Sequence, residues 1–157
     1  MKRVIDTIYG ARSSVWVLTD ELASEGLSYA LEDKAALGFD VKVIVGPSFG
    51  TSSAALERIF EQSTPSVDKR RSADEVVPTV VLIDYVDQPS GIRGRARAMV
   101  ITHDLYSAAR LYRGDLLVTD QLIDGAMWEL ATTGTPEGAM LDLLDVFQDQ
   151  LDRAGAF

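Results

Sequence analysis

Apolar and polar positions along the chain fall into alternating blocks. Val4, Ile5, Ile8 and Ala11 share one helical face, so the spacing predicts a short helix over residues 3–12. Ser14–Thr19 (SVWVLT) is rich in β-branched and aromatic residues and reads as a strand. Leu22, Leu27, Ala30, Leu31 and Ala35 form the stripe of a helix over 21–37, with Gly38 as its stop. Asp40–Val45 (DVKVIV) is an almost unbroken apolar run, as expected of a strand covered on both faces. A helix capped by Ser52 or Ser53 follows to about Gln62.

Residues 63–77 (STPSVDKRRSADEVV) show no periodicity and read as a long mobile loop. Strands are predicted at Thr79–Asp84 and Arg93–Thr102, separated by a turn at 87–92, and a fifth at Asp115–Thr119. Helices close the chain at about 120–131 and 136–152. The second has Thr135 as N-cap, Pro136 in its first turn and a stripe of Met140, Leu143, Leu144, Phe147 and Leu151. The order β-α-β-α, followed by strands joined by a short turn, predicts an α/β fold: a mixed sheet sandwiched by helices, in one domain spanning 1–157.

Composition narrows the chemistry. Cysteine is absent and His103 is the lone histidine, which excludes a disulfide, a thiolate nucleophile and a multi-His metal site within one chain. No apolar run approaches the ~20 residues of a membrane span. The N-terminus lacks the apolar core of a signal peptide, so the expected location is cytoplasmic unless a targeting segment has been removed. The net charge of −9 is uneven. Residues 1–113 hold 15 acids and 14 bases, whereas residues 114–157 hold 9 acids and only Arg153 as a base. An acidic C-terminal third therefore follows a near-neutral body whose bases cluster.

Several clusters are candidates for chemistry. Arg93, Arg95 and Arg97 alternate along one predicted strand and so share a face. With Lys69, Arg70 and Arg71 in the predicted loop they suit an anion: phosphate, a nucleic-acid backbone or an acidic peptide. The same arginines would also serve as a solvated edge that resists strand pairing, or as a dock for the acidic C-terminal helix. His103-Asp104 reads either as an acid/base or nucleophilic histidine held by a carboxylate, or as a strand-end histidine with Asp104 capping a helical turn at Leu105–Leu111. Asp115, Asp120 and Asp124 lie close in sequence, but Asp120 is more simply an N-cap with Asp124 in the first turn. Gly46–Ser53 joins strand to helix, where anions bind, yet it lacks the P-loop ending and the triple glycine of a dinucleotide fold. No Gly-x-Ser-x-Gly elbow is present. No metal and no cofactor is expected. Trp16 and Trp128 read as core residues.

The stretch from Val4-Ile5 through Ser14–Thr19, Ala30-Leu31 and Ala36–Gly46 (ALGFDVKVIVG), continued by residues 79–102, resembles the phospholipase D-like superfamily over about two-thirds of the chain. The family's motif is His-x-Lys, four residues, then Asp. In this sequence its His falls on Arg95, its Lys on Arg97 and its Asp on Thr102. Arginine keeps its proton and cannot accept a phosphoryl group, so the nucleophile is gone while phosphate-binding character survives at Arg97. The resemblance implies a degenerate domain that acts in binding or self-association, with a homodimer as the expected assembly. Two rivals stand beside it: a phosphodiesterase or nuclease using His103 across a homodimer, and an anionic-ligand-sensing α/β domain using the 46–53 loop.

Overall fold

The computed structural model describes residues 2–19, 25–47, 67–74, 79–85, 96–101, 109–113, 116–119 and 136–157. Among these, three helices are seen: α1 (Lys2–Tyr9), α2 (Glu25–Ala36) and α3 (Pro136–Arg153). Eight strands join them. They are β1 (Ser14–Thr19), β2 (Asp40–Val45), β3 (Val67–Arg71), β4 (Thr79–Ile83), β5 (Arg97–Ile101), β6 (Ala109–Arg113), β7 (Leu116–Thr119) and β8 (Gly155–Ala156). They form one mixed sheet in the order β7-β6-β5-β4-β1-β2-β3-β8. β1, β2 and β3 run parallel, β4 lies antiparallel to β1, and β4 to β7 form an antiparallel meander.

The period-2 alternation of β1 divides the core. Val15 and Val17 point to a cluster built with Val4 and Ile8 of α1 and Leu27, Ala30, Leu31 and Ala35 of α2. Trp16 and Leu18 point the other way, into a cluster with Leu143 and Phe147 of α3. Every residue of β1 is buried, as its continuous apolar run requires. Trp16 stacks on Phe147 with ring centroids 5.6 Å apart, and its Nε1 donates to Asp40 at 2.9 Å. Burial of each such aromatic contributes on the order of 2–3 kcal/mol.

α2 ends as its sequence requires. Gly38 takes φ +85°, its N–H bonds to the Ala35 carbonyl, and the Phe39 N–H bonds back to Lys34. This pair of bonds is a Schellman closure. The contact that accompanies it is a cation–π pair: the Lys34 ammonium lies 4.7 Å from the Phe39 ring. The same ammonium donates to the Ala11 carbonyl at 3.0 Å, tying the end of α2 to the turn between α1 and β1.

Two sequence expectations are corrected. Residues 67–71, expected within a mobile loop at 63–77, form β3, paired along its length with β2. Its sequence, Val-Asp-Lys-Arg-Arg, lacks apolar alternation because it lies near the sheet edge, with one inward residue, Val67, sufficient to anchor it. Residues 109–111, expected as the end of a helical turn, belong to β6, where pairing with β5 overrides local propensity. The helices expected over 52–62 and 120–131, the turn at 87–92 and Trp128 lie outside the described residues. No helix among the described residues is long and apolar enough to cross a membrane.

Candidate functional site

The polar groups that the core leaves unmatched concentrate at one corner of the sheet, where β4 ends and β5 begins. Asp84 follows β4 with φ 60°, a left-handed conformation that aspartate tolerates better than most residues. Its side chain is fully buried and turns across the start of β1. Oδ1 accepts the backbone N–H of Arg12 and of Ser13, both at 2.8 Å, and of Ser14 at 3.4 Å. The Ser13 hydroxyl donates to the same oxygen at 3.1 Å. The Asp84 N–H returns a bond to the Ser14 carbonyl at 3.0 Å. The carboxylate thus gathers the amides of the α1–β1 turn.

Oδ2 of the same carboxylate has no hydrogen-bond partner among the described residues, and neither has the buried Nε of Arg97. The only other atom in that position among them is Ser28 Oγ, on α2. Arg97 is set opposite Ile83 in the β4–β5 ladder, one residue from Asp84. An unmatched buried N–H and an unmatched buried carboxylate oxygen therefore sit at neighbouring strand positions. Such atoms are rare in folded proteins.

Arg97 lies on the α1 side of the sheet, the side of Ile83 and Met99. Gly10, at the end of α1, makes room for it: a β-carbon there would meet Nη1 of Arg97 at 3.3 Å. A cation at a helix C-terminus faces the negative end of the helix dipole, which holds the guanidinium in place. On its other side the β5–β6 register sets Arg113 directly opposite Arg97.

Of the residues singled out in the sequence, Arg97 is in this corner. Arg93, Arg95 and His103, together with Asp104, Asp115, Asp120 and Asp124, lie outside the described residues. Arg97 opens β5 and Ile101 closes it, about 13 Å away at ~3.3 Å per residue. The chain thus leaves towards residue 103 from the end of β5 opposite to Arg97. Of the Gly46–Ser53 connection, Gly46 and Pro47 are described. Their carbonyls accept from Nη1 of Arg71 at 3.4 and 3.3 Å.

The second basic group, Lys69–Arg71, stands on β3 rather than in a loop, and the acidic helix meets it. Arg70 pairs with Asp68 at 3.1 Å, and this hydrogen bond raises its pKa above the ordinary arginine value, with a smaller push from Asp152 of α3. Ser72 bonds to Gln150 at 2.7 Å. Arg153 bonds to Asp149 and reaches Asp74, just beyond β3. The acidic C-terminal helix therefore packs its apolar stripe on the Trp16 and Leu82 face of the sheet, away from the Arg97 face, and its last turns bring Gln150 and Arg153 beside the end of β3.

Sequence reasoning missed Asp84, Gly10 and Arg113. An acid closing the apolar run of Thr79–Ile83 was the available signal for Asp84. Arg113 becomes visible only once β6 is known to pair with β5. Among the described residues no group of three or more His, Cys, Asp or Glu gathers to hold a metal ion.

No family model matches the chain, and no curated protein matches it. Among solved structures, polyphosphate kinase from Porphyromonas gingivalis is similar with a TM-score of 0.44 and 10% sequence identity. The match covers 96% of this chain and 26% of that one, so the chain spans about a quarter of that protein's length.

Proposed function

We propose that the chain is a phospholipase D-like α/β domain, a mixed sheet sandwiched by helices, that has lost the family's nucleophile and acts by binding a phosphate-bearing or acidic partner, as a homodimer. The motif positions carry this reading: Arg95 stands where the nucleophile would be, Arg97 where the phosphate-binding lysine would be, and Thr102 where the aspartate would be. One structural observation supports the anion site. The buried Nε of Arg97 has no hydrogen-bond partner among the described residues, and the register sets a second arginine, Arg113, opposite it. A guanidinium offers paired N–H donors that match the oxygens of a phosphate, and the site needs neither a nucleophile nor a metal to bind one. Arg93 and Arg95 extend the same basic run.

The test is titration calorimetry with inorganic phosphate, alongside an assay of bis(p-nitrophenyl) phosphate hydrolysis. The expected result is phosphate binding that weakens with added salt, falls at least about tenfold in Arg97→Ala, and comes with no hydrolysis. Hydrolysis that vanishes in His103→Ala would replace the binding reading with the phosphodiesterase reading. Phosphate binding unchanged in Arg97→Ala but lost on substitution within residues 46–53 would favour the ligand-sensing reading instead.

A further inference from the structure

The two oxygens of the Asp84 carboxylate have different surroundings. Oδ1 is saturated, accepting the N–H groups of Arg12, Ser13 and Ser14 and the Ser13 hydroxyl. Oδ2 is buried and has no hydrogen-bond partner among the described residues. The donors on Oδ1 hold the carboxylate, so Oδ2 cannot turn aside without breaking them.

Arg97 ends on the same stretch of chain. Its Nη1 lies beside Gly10, and the amides that hold Asp84 begin two residues later, at Arg12. In the β4–β5 ladder Arg97 stands opposite Ile83, the residue before Asp84. Its buried Nε, like Oδ2, has no hydrogen-bond partner among the described residues. One corner thus presents a donor that needs an acceptor and an acceptor that needs a donor.

These two demands restrict the anion that suits the corner. A guanidinium donates to any oxyanion, whereas a carboxylate only accepts. An anion without a proton brings like charge against Oδ2 and leaves that oxygen unmatched, at the full cost of its desolvation. An anion that retains one proton donates it in a hydrogen bond to Oδ2 while its other oxygens accept from Arg97. Sulfate is fully ionised near neutral pH, and a phosphodiester has no proton to offer. A phosphomonoester keeps one until its second ionisation, at about pH 6, and inorganic phosphate behaves in the same way.

We propose that Asp84 is the specificity-determining residue of the Arg97 site, and that it selects a singly protonated phosphate, free or at the end of a monoester, over sulfate and phosphodiesters. This rests on the reading of Arg97 as an anion site and narrows the partner. A nucleic-acid backbone, built of diesters, does not meet the demand of Oδ2; a terminal phosphate does.

The test is titration calorimetry at about pH 6 and constant ionic strength, with inorganic phosphate, methyl phosphate, dimethyl phosphate and sulfate as probes. The parent chain is expected to bind inorganic phosphate or methyl phosphate at least about tenfold tighter than sulfate or dimethyl phosphate. The tighter of the first two shows whether the free or the esterified form is preferred. Asp84→Asn keeps an acceptor for the amides and puts an N–H donor in place of Oδ2. Sulfate binding should strengthen in that variant until the preference falls within about threefold; a merely structural role for Asp84 would weaken every probe alike. Equal binding of all the probes by the parent overturns the proposal and leaves the anion reading of Arg97 standing, and so does a preference that persists in Asp84→Asn. Binding of none of them overturns the anion reading and the proposal together. If Asp84→Asn does not fold, the parent's affinities for the probes still decide whether the site selects a protonated anion.

Discussion

Arg97 lies against Gly10 so closely that a β-carbon on the glycine would stand 3.3 Å from its Nη1. Gly10 is not in the left-handed region; among the described glycines only Gly38 is. The backbone φ at position 10 therefore admits alanine, whose β-carbon would press on the arginine and, equally closely at 3.3 Å, on the Thr7 carbonyl. Gly10→Ala should shift the guanidinium by a few tenths of an ångström. We expect phosphate affinity to fall roughly three- to tenfold while the thermal midpoint stays near that of the parent. Calorimetric titration beside a melting curve separates the two effects. An unchanged affinity would mean that Arg97 does not contact the anion.

Asp84 tests how the same corner is built. Asp84→Ala strands the amides of Arg12 and Ser13 and the hydroxyl of Ser13, inside a region where Ser14 is fully buried. Each unsatisfied buried donor costs about 1–3 kcal/mol, so a loss of about 3 kcal/mol or more in denaturant unfolding is expected. Asp84→Asn should lose less than half of that. Asparagine keeps an acceptor oxygen for the amides and tolerates the left-handed backbone. Equal losses for the two variants would show that the carboxylate's charge, not its hydrogen-bond geometry, organises the turn.

Much of the scaffold was legible because its signals are local. The runs at Ser14–Thr19, Asp40–Val45 and Thr79–Ile83 are apolar enough to admit one reading, and all three are strands. The α3 stripe was legible from helical spacing, and its Leu143 and Phe147 are fully buried. β3 was illegible for a physical reason: a strand near the sheet edge, charged on both faces, has no hydrophobic alternation to read. Its strand character comes from the β2 backbone beside it. The corner at Asp84 was half legible. Arg97 stood out by charge, but Gly10 and Asp84 come to this corner from other parts of the chain, and the register that sets Arg113 opposite Arg97 follows only from the sheet order.

Gly38 is a position where the sequence signal and the backbone agree. At φ +85° a β-carbon crowds the carbonyl, although no other atom lies within 4 Å of where it would stand. Gly38→Ala should therefore lower stability by about 1 kcal/mol through backbone strain alone. Gly38→Asn should recover part of the loss, because asparagine enters this region more readily. Chemical denaturation of the three proteins gives the order. A loss of several kcal/mol for alanine would instead implicate the Lys34–Phe39 contact that closes the turn.

Tyr85, next to Asp84, sets the response to alkali. It is 5% exposed and packs 6.4 Å from Trp16. Burial pushes its pKa well above the ordinary 10.0, because the phenolate would lose its hydration. The unfolded chain releases this proton near the ordinary value, while the native state retains it. Above that pH the unfolded state binds fewer protons, so native stability falls as pH rises, by up to about 1.4 kcal/mol per unit from this group. Below it the tyrosine makes stability neither rise nor fall. Denaturant unfolding from about pH 8 to pH 11 should show this downturn. Tyr85→Phe should flatten it, apart from a smaller slope from Tyr9, whose pKa is raised chiefly by its hydrogen bond to Asp33. Parallel curves for the parent and Tyr85→Phe would show that the phenol is hydrated in the native state and that this end of the core is open to water.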